Sequence, residues 1–315
     1  MGKKIVVTGA AGYIGSELLR QLVRCEWVEA LVGLDLVPAR QPVEGVTYLQ
    51  GDMLGPEWPG LIAEQRADAL VHLAFVLNPM RDELRMREIN VEGTRRTLEA
   101  AVGAGVKQLL CASSATAYGA LPDNPVPLVE EDPIRGGLSR FQYARDKAEL
   151  EGLYAELARR HPGCKVAVVR PVIVFGPGVD NYLSRFIFAF PVIPLVGGGR
   201  TPLQLVHEED VAGAMVRILE REAEGAFNVA AEEWLSMAEL CRMAGVPAIP
   251  APRRAVELAL DLLWRTGRRV EAPGSVVDFI EHPWVVSTAK LERELGYTAR
   301  RSGREAAREM LRTRR

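Results

Sequence analysis

The feature that most constrains the fold is a glycine-rich turn near the start of the sequence. A short apolar run, Ile5–Thr8, is followed by Gly9, Gly12 and Gly15, and then by a helical pattern that continues to Arg24. Gly9 permits a tight turn, Gly12 lets a ligand approach the backbone, and Gly15 allows close packing of helix on strand. Free N–H groups at the start of that helix can bind an anion. The pattern predicts a strand, a phosphate-binding turn and a helix.

An acidic residue, Asp35, ends the second predicted strand, twenty residues after Gly15. A carboxylate at this distance can hydrogen-bond the hydroxyls of an adenosine ribose and repels a 2′-phosphate. The spacing therefore favours NAD over NADP as a bound dinucleotide. Arg40 favours NADP instead, because a flexible arginine could reach a 2′-phosphate.

Apolar runs alternate with helical patterns through the first half of the chain. The predicted strands are Ile5–Thr8, Ala30–Leu34, Val46–Leu49, Ala69–Leu73, Gln108–Ala112 and Val166–Arg170. The predicted helices are Gly12–Arg24, Glu83–Ala104 and Tyr143–Arg160. Strands with almost no polar residues are typical of a parallel sheet covered on both faces. The predicted fold class is α/β, a Rossmann-type doubly wound parallel sheet.

The pattern changes after Arg170, where prolines and the glycines of Gly197–Gly199 interrupt regular structure. Three later elements are expected to return to the main sheet: a strand at Leu203–Val206, a helix at Asp210–Arg221 and a strand at Ala226–Val229. The remainder of the chain has mostly helical patterns. We therefore expect a smaller, mostly helical C-terminal substrate lobe beside the sheet.

Two domains follow from this change of pattern. Residues 1–171, with about 203–230, are assigned to an NAD-binding domain, and about 172–202 with 231–315 to a substrate-binding lobe. Within the lobe, residues 253–265 are apolar on most sides, which is typical of a buried helix. That helix is expected to form core or to cover an apolar pocket.

The composition excludes several classes of partner. The chain has 315 residues, 48% hydrophobic and 25% charged, with a formal net charge of -2. This charge gives no reason to expect nucleic acid or an anionic membrane as a partner. No apolar run reaches the ~20 residues that span a bilayer, and no signal segment is recognisable. A cytoplasmic protein that acts on a small molecule is expected.

Metal binding is not expected either. The four cysteines lie far apart and form no C-x-x-C motif, so they are expected to be free thiols: Cys25, Cys111, Cys164 and Cys241. The run from His207 to Asp210 is rich in potential ligands, but no further His or Cys cluster accompanies it. Asp210 suits a helix N-cap instead.

Tyr143 and Lys147 lie four residues apart on one predicted helix and therefore share a face. A lysine ammonium near a phenol favours the phenolate and lowers the pKa of the tyrosine. A tyrosine tuned in this way can remove or return the proton of a hydroxyl group. Taken alone, the same spacing is also typical of an exposed helix surface.

Several motifs occur together, in an order that resembles the extended short-chain dehydrogenase/reductases, the family of NAD-dependent epimerases and dehydratases. They are Thr8–Gly15, Gly51-Asp52, His72–Ala74, Asn90–Thr94, Ser113–Gly119, Tyr143–Lys147, Arg170-Pro171, His207–Asp210 and Leu295–Tyr297. The resemblance covers essentially the whole chain. It implies an enzyme that uses NAD, and a homodimer formed through residues 83–104 and 143–160.

The resemblance also implies roles for individual residues. Ser114 would hydrogen-bond the substrate oxygen, Tyr143 would be the acid/base, and Lys147 would bind the nicotinamide ribose and tune Tyr143. Asp52 would contact the adenine, and Asn90 would steady the active-site helix. The expected cofactor-binding residues are Gly9, Gly12, Tyr13, Ile14, Gly15, Asp35, Asp52, Met53, Leu73, Ala74, Phe75, Asn90, Tyr143, Lys147, Pro171 and Val172.

One departure from the family pattern narrows the reaction. The 4,6-dehydratases carry an Asp-Glu pair after the catalytic hydroxyl residue, where this chain has Ala115 and Thr116. These side chains cannot remove a proton and eliminate water, so a dehydratase is not expected. A dehydrogenase/reductase and an epimerase both remain open. A non-catalytic NAD-sensing regulator is a further alternative, although such relatives typically lose the Tyr and Lys.

A second departure concerns the substrate. Members that act on UDP-sugars usually have Asn and Arg where this chain has Ile173 and Leu203. The loss of two polar partners predicts that the substrate is not held mainly through a nucleoside diphosphate. Arginines at other positions could replace them: Arg185, Arg200 or Arg268. A sugar-nucleotide 4-epimerase is therefore the alternative.

Overall fold

The structure is a computed structural model that describes residues 2–187, 190–267 and 270–313; Arg268 lies outside the described residues. The strands are β1 (Lys3–Thr8), β2 (Val28–Asp35), β3 (Val46–Gln50), β4 (Ala69–His72), β5 (Gln108–Ala112), β6 (Lys165–Pro171), β7 (Ile173–Phe175), β8 (Ile193–Leu195), β9 (Pro202–His207), β10 (Gly225–Val229), β11 (Trp234–Ser236) and β12 (Ala248–Pro250). The helices are α1 (Tyr13–Leu22), α2 (Trp58–Glu64), α3 (Glu83–Arg87), α4 (Gly93–Gly103), α5 (Gln142–Arg160), α6 (Tyr182–Phe186), α7 (Glu208–Arg221), α8 (Met237–Ala244), α9 (Arg253–Thr266), α10 (Asp278–Glu281), α11 (Ala289–Leu295) and α12 (Gly303–Thr313).

Seven of these strands form one parallel sheet in the order β10-β6-β5-β4-β1-β2-β3. Along β1 the side chains alternate between two cores: Ile5 and Val7 pack with residues of α1 and α7, whereas Val6 packs with α2, α4 and α5. Helices therefore cover both faces of the sheet, and the predicted doubly wound fold is confirmed. The strand order reverses between β1 and β4, which is where such sheets open a crevice for ligands.

The predicted return of Leu203–Val206 to the main sheet is wrong. This segment lies in β9, which pairs with β7 and β11 in a separate three-stranded sheet. The place beside β6 is taken by β10, as predicted for Ala226–Val229. Because β7 follows β6 almost directly, it carries its partner β9 beyond the carboxyl end of the main sheet and toward the mostly helical C-terminal region.

The helix predicted over residues 253–265 is present, but it is buried on one face only. In α9, Val256 and Leu260 are buried, but Leu258 and Leu262 are 70% and 65% exposed. Residues four apart share a helix face, so these two pairs lie on different faces. The helix packs through one apolar face and leaves a second one exposed.

Asp210 is not the N-cap of α7, because the helix begins at Glu208 and His207 takes that position. The Nδ1 atom of His207 accepts the N–H of Glu209 at 3.1 Å. Asp210 is buried, and its carboxylate accepts the backbone N–H groups of Arg300 and Arg301 at 2.8 and 3.1 Å. It therefore anchors the segment that leads into α12.

The described residues show no helix with the length and apolar character needed to cross a membrane. Within the same ranges, no three His, Cys, Asp or Glu side chains are grouped so that they could hold a metal ion. All four cysteines are free thiols.

Candidate active site

A cleft lies at the carboxyl ends of β1 and β4 and consists of two chambers. The outer chamber, of about 430 Å³, is lined by Asp35, Asp52, Met53 and Ala74 among others. The inner chamber, of about 180 Å³, is lined by residues that include Tyr13, Ile14, Gly15, Ser114, Tyr143, Lys147, Pro171 and Val172. Both chambers are bordered by Gly9, Gly12, Leu73 and Phe75. The structure thus brings together every predicted site residue except Asn90.

The glycine turn between the chambers has no room for larger residues. Gly9 has a φ of +72°, and a Cβ there would lie 2.6 Å from the backbone N of Ala74. A Cβ on Gly15 would lie 2.2 Å from the carbonyl oxygen of Gly9. Gly12 precedes α1, and no side chain in the described part of the chain caps that helix, so its first N–H groups are available for an anion. These features fit the pyrophosphate of a dinucleotide.

Asp35 faces the outer chamber in a fixed orientation. Its carboxylate accepts the N–H of Ala11 at 2.9 Å and that of Val37 at 3.2 Å. Arg40 is exposed and is not among the residues that line the chamber, whereas Arg85 lines it and is paired with Glu88 at 2.6 Å. The chamber therefore presents a carboxylate where a ribose hydroxyl would bind.

Behind the turn, His72 joins three elements and is not available for catalysis. Its Nδ1 lies 2.8 Å from Thr8 Oγ1 and its Nε2 lies 2.9 Å from Thr94 Oγ1. Burial lowers the pKa of His72 to about 3, and the charge of Lys147 acts in the same direction. The imidazole is therefore neutral and holds the end of β4 between β1 and α4.

Asn90 lies behind the cleft rather than in its lining. The predicted helix 83–104 is interrupted at Glu88–Glu92 by a π-helical turn, which contains Asn90. The Asn90 side chain accepts the N–H of Val76 at 2.8 Å and donates to Asp146 at 3.0 Å. It thereby joins the loop after β4 to α5, the helix that carries Tyr143.

The hydroxyl groups of the inner chamber converge from two elements. Tyr143 is presented by the first turn of α5, and Ser114 follows β5, where its Oγ accepts the N–H of Thr116 at 3.2 Å. Burial raises the pKa of Tyr143 to about 12, against the opposing effect of hydrogen bonds with Ser114 and Thr116. The Tyr143 phenol is therefore protonated at neutral pH and faces both hydroxyls.

Lys147 is buried one turn further along α5. Its Nζ donates to the carbonyl oxygen of Ala112 at 2.9 Å and lies 3.6 Å from the centre of the Phe75 ring. Burial lowers the pKa of Lys147 to about 7, although Glu151 and Asp146 act in the opposite direction. The ammonium group is thus held beside the Tyr143 ring, 5.9 Å from its centre.

The residues that line the inner chamber without having been predicted as site residues include Asn181, Tyr182 and Trp284, and also Thr116, which the sequence placed only at a position where dehydratases have an acid. Asn181 and Tyr182 follow a Gly-Pro-Gly segment that has no helical pattern of its own. A local signal was nevertheless present, because the Asn181 side chain caps α6 by accepting the N–H of Ser184. Trp284 belongs to a distant part of the chain, which only the fold brings to the site.

The sequence profile of the NAD dependent epimerase/dehydratase family matches residues 5–230. The chain belongs to this family. The predicted family is thus confirmed, and NAD is the cofactor.

Known members of the family differ in their reactions. A UDP-glucose 4-epimerase from Erwinia amylovora is 29% identical over an alignment 322 residues long. The alignment covers 85% of this chain and 94% of that protein. A 3-diazoavenalumate denitrifying reductase from Streptomyces sp is 30% identical over 267 residues, covering 79% and 83%. The crystal structure of a UDP-glucose-4-epimerase from Stenotrophomonas maltophila with bound NAD and formylated UDP-arabinopyranose superposes with a TM-score of 0.76. That structure is 21% identical and covers 99% of this chain and 98% of its own, which supports the fold.

Asp35 is expected to make NAD bind at least about tenfold more tightly than NADP, because a carboxylate and a 2′-phosphate repel each other. Asp35→Ala should narrow this ratio. Fluorescence titration with both cofactors measures it, and Arg40→Ala is the control, since Arg40 does not line the outer chamber. Equal affinities for the two cofactors in the unmodified protein would contradict the assignment.

Proposed function

We propose that the protein catalyses reversible hydride transfer between NAD and a secondary alcohol or ketone, with Tyr143 as the acid/base. The observation that carries this proposal is the convergence of Tyr143, Ser114, Thr116 and Lys147 on one chamber beside the glycine turn. NAD, when bound, supplies the hydride acceptor, and NADH the donor.

In the oxidation direction, the substrate hydroxyl gives its proton to the deprotonated Oη of Tyr143 while the carbon-bound hydrogen leaves as hydride. The alcohol becomes a ketone, and NAD⁺, which the glycine turn and Lys147 would hold, would supply the acceptor for the hydride. Ser114 binds the substrate oxygen and orients it toward the phenol. Lys147 would hold the ribose next to the nicotinamide, and in its protonated form it stabilises the phenolate form of Tyr143 by its positive charge. Reduction of a ketone runs through the same groups in reverse.

The inner chamber gives no support to a dehydratase. Elimination of water needs a carboxylate or a similar group that removes a proton from carbon. No Asp or Glu occurs among the described residues that line this chamber, and Ala115 and Thr116 stand where the dehydratases have acids.

The second candidate function is a sugar-nucleotide 4-epimerase, which the Erwinia amylovora relative favours. An epimerase oxidises a carbon centre, presents its other face and reduces it again, so it regenerates its own cofactor. NAD that copurifies and resists dilution would favour the epimerase. NAD that exchanges freely would favour the dehydrogenase/reductase. A regulator without catalysis has no use for a tyrosine and a lysine in this arrangement.

The rate of alcohol oxidation is expected to rise with pH, because Tyr143 must lose its proton before it can act as a base. A pKa of about 12 for Tyr143 means that the phenolate fraction grows about tenfold per pH unit through the neutral range. Lys147→Met should move the rising limb to higher pH, since it removes the positive charge that Lys147, with a pKa of about 7, still carries in part of the molecules at neutral pH. Lys147→Arg should move it less.

The position of the rising limb is measured from pH–rate profiles of NAD-dependent oxidation for the unmodified protein, Lys147→Met and Lys147→Arg. NAD affinity, determined by fluorescence, should fall in Lys147→Met because the ribose contact is also lost. A rising limb that stays in place in Lys147→Met would exclude the lysine from the tuning of Tyr143.

A further inference from the structure

A third chamber, the apolar chamber, adjoins the inner chamber. The two share Ile173, Tyr182, Leu183 and Trp284 in their walls, and the apolar chamber has a volume of about 60 Å³. A ligand whose oxygen lies at Tyr143 would therefore reach the apolar chamber by passing between these residues. The site as a whole has one end with the hydroxyl groups of Ser114, Thr116 and Tyr143, and one end where Tyr182 is the only described lining residue with a hydroxyl group.

Every described residue that lines the apolar chamber has an aliphatic, thioether or aromatic side chain. The one indole N–H, on Trp284, donates to the carbonyl oxygen of Phe279 at 2.9 Å and is thus already used. The Phe279 and Trp284 rings meet edge to face, with their centres 5.5 Å apart. Such walls favour a ligand with an apolar body, and aromatic rings pack well against one another in this geometry.

Ile173 and Leu203 come together in this chamber, although they belong to different strands, β7 and β9. These are the two positions where relatives that act on UDP-sugars have polar side chains. A diphosphate beside Ile173 and Leu203 would lose its hydration without gaining a cation or an amide, which is strongly unfavourable. The walls therefore exclude the group by which a sugar nucleotide would be held.

The arginines that could have compensated do not do so within the described residues. Arg185 is paired with Asp180 at 2.6 Å and with Glu271, and does not line either chamber. Arg200 is exposed and lines neither chamber. Among the described residues that line the inner chamber, Lys147 is the one basic side chain, and the proposed mechanism uses it for the cofactor.

We infer that the substrate is a small secondary alcohol or ketone with an apolar, ring-bearing body and no phosphate. Its C–O group lies at Tyr143 and Ser114, and its body lies between Ile173, Leu203 and Trp284. This substrate class rests on the proposed hydride transfer for the position of the oxygen. The apolar character of the substrate body follows from the walls of the apolar chamber, and it is the same for oxidation and for reduction.

The first experiment measures the thermal unfolding of the protein with saturating NAD, in the presence of one of three probes. Acetophenone and 1-phenylethanol at millimolar concentration should each raise the unfolding temperature by about 2 °C or more. Uridine diphosphate should give no shift at the same concentration. Stabilisation by micromolar uridine diphosphate, or no shift with either aromatic probe, overturns the inferred substrate class. If NAD itself fails to stabilise the protein, the proposed function fails instead.

The second experiment places a charge in the wall. Leu203→Arg should weaken binding of 1-phenylethanol at least about tenfold. The arginine would either leave an unpaired charge in the apolar chamber or occupy the volume that the ligand needs. The control is Leu258→Arg, the same change on the exposed face of α9, which should leave binding unaltered. NAD affinity, measured in parallel, reports whether each variant is folded. Ile173→Asn, at the junction of the chambers, provides a second test with a smaller change. Unaltered probe affinity in folded Leu203→Arg and Ile173→Asn would refute the inference.

Discussion

Tyr143→Phe is expected to lower kcat by about 10²- to 10⁴-fold while NAD affinity stays nearly unchanged. The phenol oxygen is the group that exchanges a proton with the substrate. Phenylalanine keeps the ring, which packs edge to face against Phe75 with centres 5.5 Å apart. The cofactor should therefore meet an almost unaltered surface, so the loss falls on the chemical step.

Tyr154→Phe is the control, because it makes the same change about three turns further along α5. Tyr154 is buried, its hydroxyl has no hydrogen-bond partner among the described residues, and it does not line the inner chamber. Steady-state kinetics and NAD titration of both variants distinguish the loss of a catalytic hydroxyl from the general effect of removing any buried hydroxyl. A Tyr143→Phe enzyme that retained the unmodified rate on a true substrate would show that the proton is transferred elsewhere.

The glycine turn, the parallel sheet and most of the cleft could be predicted from the sequence because their signals are local. Gly9, Gly12 and Gly15 stand in an ordinary strand-turn-helix context, and the lining residues after β4, β5 and β6 occur at strand ends. In a parallel sheet those ends meet at one edge, so residues far apart in sequence were expected together. Their roles in binding and catalysis, and the homodimer, stay predictions.

The apolar chamber could not be predicted because it depends on long-range packing. Leu203 was expected in the main sheet, where it would have faced a helix, and only the pairing of β9 with β7 places it beside Ile173. Trp284 comes to the same chamber from more than eighty residues beyond Leu203. In α9 the leucines lie on two faces, one buried and one exposed, so the sequence alone did not show which apolar face packs against the rest of the protein.

A buried ion pair connects the active-site elements to one another. Arg170, at the end of β6, donates from Nε and Nη2 to the two carboxylate oxygens of Glu151 on α5, each at 2.8 Å. Its Nη1 donates to the hydroxyl of Tyr118 at 2.7 Å, and Tyr118 in turn donates to Asn228 at 2.9 Å. The side chains of Arg170 and Glu151 are only 7% and 8% exposed. The pair thus ties the turn that follows Ser114 to the helix that carries Tyr143 and Lys147.

Arg170→Ala is expected to lower the free energy of unfolding by about 3–5 kcal/mol, because it leaves the Glu151 carboxylate buried without its partner. Glu151→Ala should cost a similar amount for the opposite reason. The double variant Arg170→Met with Glu151→Leu should lose less than the sum of the single variants, since no uncompensated charge remains. Glu156→Ala is the control on the same helix: Glu156 pairs with Arg160 at the surface, where both side chains are at least half exposed, and its loss should cost less than about 0.5 kcal/mol. Urea unfolding of the four variants measures these differences. Equal, small losses for Glu151→Ala and Glu156→Ala would mean that burial adds nothing to the Arg170–Glu151 pair, and that β6 and α5 are held together by their apolar contacts alone.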